Sequence, residues 1–298
     1  MSRQTRIKKA VFPVAGMGTR FLPATKSIPK ELLPLVDRPL IQYAIDEARA
    51  AGIDEFIFVT ARGKTALEDY LDHAPHLAET LRRDNKTSLL AELENTRMPS
   101  GSTAYARQGE PRGLGHAVWC ARHLIGDEPF AVILPDDVIA GAVPCLKQMV
   151  DAYQTCGGNL VAAMEVAPEE VGSYGILETT HRNGPLCTVS GMVEKPSPKT
   201  APSNLAVVGR YILDAAVLNH LARKQVGAGG EIQLTDAIAA EIGKSGVHGF
   251  RFAGQRFDCG SKAGFLRATV AYALARPDLR DDFRQCLDGA MHVRVAAE

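Results

Sequence analysis

The segment that decides the fold reads Pro13-Val-Ala-Gly16-Met-Gly18-Thr-Arg20-Phe-Leu-Pro-Ala-Thr-Lys26-Ser-Ile-Pro-Lys30-Glu31, and it overlaps an apolar run, Ala10–Ala15. The run predicts a buried strand, and the two glycines let the backbone approach a ligand closely and direct N–H groups at it. Arg20, Lys26 and Lys30 add three cations ahead of the first acidic residue. A strand-to-helix turn with solvated lysines is the plainer alternative, but the cations and three stiffening prolines favour a phosphate-binding loop.

Apolar runs alternate with helical patterns through the first half of the chain. Strands separated by helices of about 10–15 residues predict βαβ units and a mostly parallel sheet, whose ligands bind at the carboxyl ends of the strands. The predicted strands are Phe56–Thr60, Thr103–Gln108 and Phe130–Leu134. The predicted helices are Leu40–Ala51, Lys64–Leu81, Leu114–Leu124 and Val143–Tyr153.

The pattern changes near Asn159, where strand-like segments follow one another without a long helix between them. We expect these segments to extend the sheet with antiparallel strands; they are Asn159–Val166, Gly175–Glu178, Leu186–Glu194 and Asn204–Leu213. Helical patterns return at Ile232–Ile242, Ala263–Ala275 and Asp281–Leu287. The expected fold is therefore one α/β domain over 1–298: a Rossmann-like mixed, mostly parallel sheet flanked by helices, an antiparallel extension and C-terminal helices.

The composition describes a neutral, folded chain, because 298 residues carry 34 lysines and arginines against 34 aspartates and glutamates, and 46% are hydrophobic. This excludes global disorder and argues against a nucleic-acid partner, which needs clustered cations. No apolar run reaches the roughly 18 residues of a membrane span, and Met1–Lys9 is not followed by the apolar stretch of a signal peptide. The six cysteines lack C-x-x-C spacing, so we expect reduced thiols, no membrane partner and a cytoplasmic protein.

Two common phosphate-binding motifs do not fit. A dinucleotide-binding fingerprint would need a third glycine where Phe21 stands, and an acidic residue where Thr60-Ala61 ends the second strand. A phosphate-binding P-loop would need a glycine where Phe58 precedes Gly63-Lys64-Thr65, or where Ile238 precedes Gly243-Lys244-Ser245. The sequence therefore argues against a dehydrogenase and a P-loop enzyme.

Carboxylates follow a predicted strand at Pro135-Asp136-Asp137. Mg²⁺ prefers oxygen ligands and commonly takes one or two carboxylates, water and substrate phosphates. Because successive side chains of an extended segment point in opposite directions, only one of the two aspartates is expected to face the site. The alternative is that both are turn residues. Asp258, taken alone, predicts an N-cap for the helix near Lys262.

The glycine-rich segment resembles the N-terminal motif of the bacterial UTP–glucose-1-phosphate uridylyltransferases, a branch of the sugar nucleotidyltransferases, and the resemblance extends over nearly the whole chain. Small departures are Leu32, where the family often has Met, and Phe257, where Tyr is common. The later matching blocks are Gln108 with Gly113-Leu-Gly-His-Ala117, Leu134-Pro-Asp136, Ser173-Tyr-Gly175, Val193-Glu-Lys-Pro196, Gly230-Glu-Ile-Gln-Leu-Thr-Asp236 and Asp258-Cys-Gly-Ser-Lys262.

The resemblance assigns roles to residues of this chain. It implies a nucleotide-binding half at about 1–155, a sugar-phosphate half at about 156–260 and C-terminal helices at about 261–298. It selects Asp136 over Asp137, which we take as a loop cap, and it leaves His116 outside the catalytic set. The implied catalytic residues are Arg20, Lys30, Asp136 and Lys195; the nucleotide-binding residues are Ala15, Gly16, Gly18, Thr19, Lys26, Glu31, Gln108 and Gly113; the sugar-binding residues are Gly175, Glu194 and Lys195; and the Mg²⁺ ligands are Asp136 and Asp258.

The chemistry of the side chains and glycines at several of these positions suits the roles that the resemblance implies. Glu194 and Lys195 end a strand side by side, and Pro196 forces a turn that can bring both toward a ligand, although an exposed ion pair is the alternative. The Gln108 amide can pair with the donor and acceptor edge of a uracil ring. Gly113-Leu-Gly115 would allow a second close approach of the backbone to the ligand.

The implied reaction is attack by an oxygen of glucose 1-phosphate on the α-phosphorus of UTP, with Mg²⁺, giving UDP-glucose for carbohydrate metabolism and polysaccharide biosynthesis. A thymidylyltransferase or other sugar-1-phosphate nucleotidyltransferase stays open, as does a non-catalytic nucleotide-sugar sensor. The sequence does not decide between glucose and galactose. The resemblance further implies a homo-oligomer, a dimer or a tetramer.

Overall fold

A nine-stranded sheet runs through the protein in this computed structural model, which describes residues 6–290. The order of its strands is β5-β4-β1-β6-β11-β8-β12-β10-β9, and two small two-stranded sheets, β13-β7 and β2-β3, lie beside it. The strands are β1 Lys9–Pro13, β2 Pro34–Leu35, β3 Arg38–Pro39, β4 Glu55–Thr60, β5 Thr103–Arg107, β6 Phe130–Ile133, β7 Asp137–Ala140, β8 Asn159–Glu165, β9 Gly175–Asn183, β10 Leu186–Glu194, β11 Leu205–Leu213, β12 Val247–Arg251 and β13 Gln255–Asp258.

Helices connect the strands and follow the last of them. They are α1 Leu40–Ala50, α2 Thr65–Leu71, α3 Pro75–Arg83, α4 Thr87–Thr96, α5 Leu114–Cys120, α6 Arg122–Ile125, α7 Cys145–Cys156, α8 Ala216–Leu221, α9 Leu234–Ala239, α10 Lys262–Ala275 and α11 Arg280–Ala290. The α/β class, with a central sheet flanked by helices, is as the sequence predicted.

The sheet has a parallel half and a mixed half. Strands β5, β4, β1 and β6 are parallel neighbours, with Val11 of β1 opposite Ile57 of β4 and Val132 of β6. Beyond them β11 is antiparallel to β6 and β8, β12 is parallel to β8, and β10 and β9 return antiparallel. The carboxyl ends of the four parallel strands therefore share one edge, where ligands of α/β sheets bind.

Strand alternation divides the core into two layers. Phe12 and Phe58 pack on one face of the sheet with Ile45 of α1, whereas Val11 and Ile57 face the other layer. The apolar runs are buried on both faces, as helices on both sides of a parallel sheet require.

A third apolar cluster holds the C-terminal part of the chain against the beginning of α1. Leu40, Val138, Phe257 and Ala268 form its centre, so β7, β13 and α10 pack together there. This packing brings Asp258, at the end of β13, to the segment that follows β6.

Three expectations about the elements are wrong in detail. The helix predicted over Lys64–Leu81 is two helices, because Pro75 disfavours a helical conformation at Ala74 and begins α3. The sequence did not predict β7, β12 and β13, which are only four or five residues long. Asp137, expected as a loop cap, is the first residue of β7.

Two further expectations concern membrane-spanning segments and disulfide bonds. Within residues 6–290, no helix is long and apolar enough to cross a membrane. The six cysteines form no disulfide within residues 6–290, and their reduced state stays a prediction. The first five residues of the cationic Met1–Lys9 segment lie outside the described residues.

Candidate active site

The glycine-rich loop leaves β1 at the ligand-binding edge and folds back over Lys30. Gly18 has a φ of 67°, and a Cβ there would lie 3.1 Å from the Cβ of Lys30 and 3.1 Å from a methyl of Thr25. The Thr25 hydroxyl donates to the Gly18 carbonyl at 2.7 Å. Glycine at 18 thus satisfies a left-handed backbone and a tight turn, and the loop packs along the Lys30 stem.

Lys30 forms an ion pair with Asp136 in the segment after β6, with 2.6 Å between Nζ and Oδ2. Burial alone would raise the pKa of the Asp136 carboxyl, but Lys30 and the charge of Arg20 hold it below its ordinary value. Burial likewise opposes the charge on Lys30, and Asp136 raises the Lys30 pKa above its ordinary value. Both groups are therefore charged at neutral pH.

Arg20, Asp136 and Asp258 converge on Gly260. The Arg20 guanidinium donates to the Gly260 carbonyl at 3.2 Å. A Cβ on Gly260 would lie 3.0 Å from Asp136 Oδ2 and 3.0 Å from Asp258 Oδ1. Because glycine has no side chain, the two carboxylates can both approach the same small volume beside Gly260. Two neighbouring carboxylates suit Mg²⁺, which commonly takes one or two carboxylates together with water and substrate phosphates. Within the described residues no group of three or more His, Cys, Asp or Glu could hold a metal.

Asp137 points away from Asp136, as strand alternation predicts, and is not a loop cap. Its Oδ2 accepts the Gly209 N–H at 2.8 Å, and its Oδ1 accepts Arg256 Nε at 2.7 Å. Arg210, paired with Glu47, donates to the carbonyls of Leu134 at 2.9 Å and Asp137 at 2.7 Å. The segment that carries Asp136 is therefore fixed from beneath by two arginines.

Glu31 lies beneath the loop. It is 1% exposed and pairs with Lys64, with 2.8 Å between Lys64 Nζ and Oε2, while its Oε1 has no hydrogen-bond partner. Burial raises the pKa of the Glu31 carboxyl against the opposing effect of Lys64. A direct contact of Glu31 with a nucleotide stays a prediction. In contrast, Gly16, Thr19 and Lys26 are exposed on the loop, and Ala15 is half-buried.

Gln108 follows β5 at the same sheet edge and is held from two sides. Its amide nitrogen donates to the Gly113 carbonyl at 3.1 Å and lies 3.1 Å from His116 Nδ1. Burial lowers the pKa of His116, which favours the neutral ring that can accept this hydrogen bond. The amide oxygen of Gln108 is then the atom available to a ligand, and His116 has an orienting role that the sequence did not reveal.

The close approach at Gly113 is to another segment of this chain. Gly113 has a φ of 99°, and a Cβ there would lie 2.7 Å from Glu231 Cβ and 2.9 Å from the Ile232 carbonyl. The Gly115 N–H donates to the same carbonyl at 2.9 Å. The expectation of close approach to a ligand missed this contact, because spacing within one segment does not show which distant segment packs on it.

Gly175, Glu194 and Lys195 come together at the ends of β9 and β10. Gly175 pairs with Glu194, and a Cβ on Gly175 would lie 3.1 Å from the Glu194 carboxylate. Lys195 has a φ of 49°, and its Nζ lies 3.8 Å from Glu194 Oε1, so the turn before Pro196 places both side chains on one side. A lysine in the left-handed region is strained, which is common at functional sites.

Thr235 is a further residue of this group that the sequence did not single out. Its hydroxyl donates to Glu194 Oε2 at 2.7 Å, and it is 8% exposed. It belongs to the Gln-Leu-Thr-Asp block that carried part of the resemblance, which was the only available signal. Thr235 therefore orients the Glu194 carboxylate, so that the other oxygen, Glu194 Oε1, faces Lys195.

A glycine-rich loop, a facing pair of carboxylates and three basic side chains lie together at the edge of an α/β sheet, an arrangement that suits the phosphates of a nucleotide. The family model described as nucleotidyl transferase matches residues 9–274, and the chain belongs to that family. Proteins of this family generally use a divalent metal ion.

Two curated relatives of this chain carry the same name. The chain is 56% identical over 256 residues to a UTP–glucose-1-phosphate uridylyltransferase of Komagataeibacter xylinus, covering 86% of this chain and 90% of that one. It is 45% identical over 287 residues to the enzyme of the same name from Bacillus subtilis, covering 96% and 98%. The UTP-bound UGPase from Acinetobacter baumannii superposes with a TM-score of 0.87 at 42% identity, covering 97% of this chain and all of that one. The resemblance inferred from the sequence is confirmed.

Proposed function

We propose that this protein transfers the uridylyl group of UTP to glucose 1-phosphate, giving UDP-glucose and pyrophosphate. The observation that carries the proposal is the convergence of Arg20, Lys30, Asp136 and Asp258 beneath a glycine-rich loop. The relatives' shared name supplies the nucleotide and the sugar phosphate.

The reaction needs positioning and charge neutralisation more than proton transfer. The attacking oxygen of glucose 1-phosphate is anionic near neutral pH, so no general base is required. It forms a bond to the α-phosphorus while the bond to the bridging oxygen of pyrophosphate breaks, and the electron pair leaves with pyrophosphate. Catalysis then rests on in-line placement and on cations that meet the spreading charge.

The basic residues of the chain fit these tasks. Arg20 and Lys30 hold the β- and γ-phosphates of the leaving group, and Lys195 fixes the phosphate of the sugar. Lys30 exchanges its ion pair with Asp136 for the incoming triphosphate. The remaining loop residues, Ala15, Gly16, Gly18, Thr19 and Lys26, with Glu31, surround the nucleotide.

Base and sugar are recognised by neutral and acidic groups. The Gln108 amide oxygen accepts the uracil N3–H near Gly113. Glu194, oriented by Thr235, hydrogen-bonds sugar hydroxyls beside Gly175. Asp136 and Asp258 would hold Mg²⁺, which when bound supplies charge stabilisation to the phosphates.

The first test replaces Lys195 with alanine and measures pyrophosphate release at saturating Mg²⁺. We expect turnover to fall on the order of 10²–10³-fold, the usual effect of removing one charged contact to a transition state. Lys199→Ala is the matched control, because Lys199 is exposed four residues further along the same segment. Near wild-type turnover in Lys195→Ala, or in Asp136→Ala, would refute the assigned roles.

Substrate choice is tested separately. Parallel assays with UTP and dTTP, and with glucose and galactose 1-phosphate, compare kcat/KM for each pair. A clear preference for dTTP would overturn the uridylyl assignment. Removal of divalent ions with a chelator should abolish turnover, and Mg²⁺ should restore it.

We further propose one domain and a cytoplasmic homo-oligomer. The single nine-stranded sheet, which pairs β6 with β11 across the two halves, supports one domain. A groove of about 870 Å³ runs along α10, where Leu266 is 65% exposed beside Val270 and Leu274. A dimer or tetramer would cover these three apolar side chains. Light scattering of Leu266→Glu should show a smaller species, whereas Leu89→Glu, on α4, should not.

A further inference from the structure

Arg256 of β13 joins two parts of the candidate site that lie on strands that are not adjacent in the sheet. Strand β6, which leads to Asp136, and β10, which ends at Glu194, are not neighbours in the sheet. They are linked indirectly through β11, which pairs with β6 and, at one position, with β9. In-line transfer nevertheless requires the reacting atoms of the two substrates within about 3–3.5 Å of each other. A side-chain contact between the two parts can add to this backbone pairing and fix one part relative to the other.

One end of the connection is Asp137. Arg256 donates to Asp137 Oδ1 through Nε at 2.7 Å and also through Nη2, and the Arg256 side chain is 9% exposed. Asp137 follows Asp136 directly, and its second carboxylate oxygen is held by the Gly209 N–H. The guanidinium thus fixes the backbone on which the Asp136 carboxylate is mounted.

The other end is Tyr174. Arg256 Nη1 donates to the Tyr174 hydroxyl at 2.8 Å, and its guanidinium carbon lies 5.2 Å from the centre of the Tyr174 ring. The Tyr174 carbonyl accepts the N–H of Lys195 at 2.9 Å, and the next residue, Gly175, pairs with Glu194. Tyr174 is therefore bonded to the segment that carries the sugar-phosphate residues.

We propose that Arg256 is a positioning residue that sets the distance between the Asp136 segment and the Lys195 turn by bridging Asp137 and Tyr174. The proposal deepens the proposed function and rests on it. A guanidinium suits the task because its rigid fork can hold a carboxylate on two nitrogens and a hydroxyl on the third, which a lysine ammonium cannot reproduce at the same geometry.

The first experiment removes one oxygen atom. Tyr174→Phe keeps the ring and the carbonyl that holds Lys195, but it removes the hydroxyl acceptor of Arg256. We expect the KM for glucose 1-phosphate to rise about tenfold and the KM for UTP to stay within about twofold, because only the placement of the sugar-phosphate segment is loosened. Tyr70→Phe is the matched control, since its hydroxyl donates to Gln42 at 3.0 Å, between side chains outside the proposed site.

The second experiment is a double-mutant cycle with Arg256→Lys. If Tyr174 acts through Arg256, Tyr174→Phe adds no further increase in the KM for glucose 1-phosphate in the Arg256→Lys background. An unchanged KM for glucose 1-phosphate in Tyr174→Phe, an equal rise in both KM values, or additive effects in the cycle would overturn the proposal. If Arg256→Lys does not fold, the Tyr174→Phe kinetics decide alone. A wild-type protein without pyrophosphate release would instead refute the proposed function.

Discussion

Gly260→Ala provides the most direct test of the two facing carboxylates. The new methyl carbon would lie 3.0 Å from Asp136 Oδ2 and 3.0 Å from Asp258 Oδ1, and 3.4 Å from Arg20 Nη1. Gly260 does not have a positive φ, so the backbone accepts alanine without strain. The substitution therefore acts on the carboxylates and leaves the fold in place.

The magnitude follows from contact distances. An ordinary carbon–oxygen contact begins near 3.4 Å, so each carboxylate must retreat by about 0.4 Å. Metal–ligand distances tolerate only about 0.2 Å, and Mg²⁺ demands near-ideal octahedral geometry. We expect kcat/KM to fall on the order of 10²-fold, about 2.7 kcal/mol of transition-state stabilisation, with a higher Mg²⁺ concentration at half-maximal rate.

Pyrophosphate release measured over a series of Mg²⁺ concentrations checks this expectation. Gly289→Ala is the control, because a methyl group there meets nothing within 4 Å. The unfolding free energy of Gly260→Ala should stay within about 1 kcal/mol of wild type, as for a glycine replaced at a compatible backbone position. A Gly260→Ala enzyme with wild-type rates at limiting Mg²⁺ would show that the two carboxylates do not share a metal ion.

Two further predictions concern residues that support the site. Thr235→Val removes the hydrogen bond to Glu194 at nearly constant volume, so it should raise the KM for glucose 1-phosphate about tenfold and leave the KM for UTP unchanged. Thr235→Ser keeps the hydroxyl and should restore the wild-type KM for glucose 1-phosphate. Equal kinetics for the wild type and both variants would contradict the orienting role of Thr235. Glu47→Ala leaves the buried Arg210 guanidinium, 1% exposed, without its carboxylate partner. Denaturant titration should therefore show a loss of about 3–5 kcal/mol in unfolding free energy. A loss below about 1 kcal/mol would contradict the stabilising role of the Glu47–Arg210 pair.

The sequence predicted the elements that have strong local patterns. The parallel half of the sheet follows from apolar runs at regular spacing, and the loop at Gly16 and Gly18 follows from glycines and cations after a strand. Both depend on neighbours along the chain, so they can be inferred without knowing which distant segments meet.

The contacts between distant segments could not be predicted in that way. Tyr174 and Thr235 lie in blocks that carried the resemblance, but nothing in those blocks shows what the two side chains contact. Arg256 lies in no such block. The roles of the three residues come from partners at Asp137 and Glu194. Short strands such as β7 and β13 also lack enough residues for a clear alternation. The supporting residues of the site are therefore a property of the tertiary structure.

The order of the contacts along the chain has a consequence for folding. Arg20 and the Gly260 carbonyl that it contacts are 240 positions apart, and Arg256 and Asp137 are 119 apart. Contacts of such sequence separation require closure of large loops and cannot form before the later of the two residues has been synthesised. A nascent polypeptide whose β13 is still inside the ribosome lacks Asp258, one of the two carboxylates proposed to hold Mg²⁺, however well its first strands have folded. Recovery of activity during refolding should therefore report completion of the whole fold, and not the earlier formation of its parallel sheet.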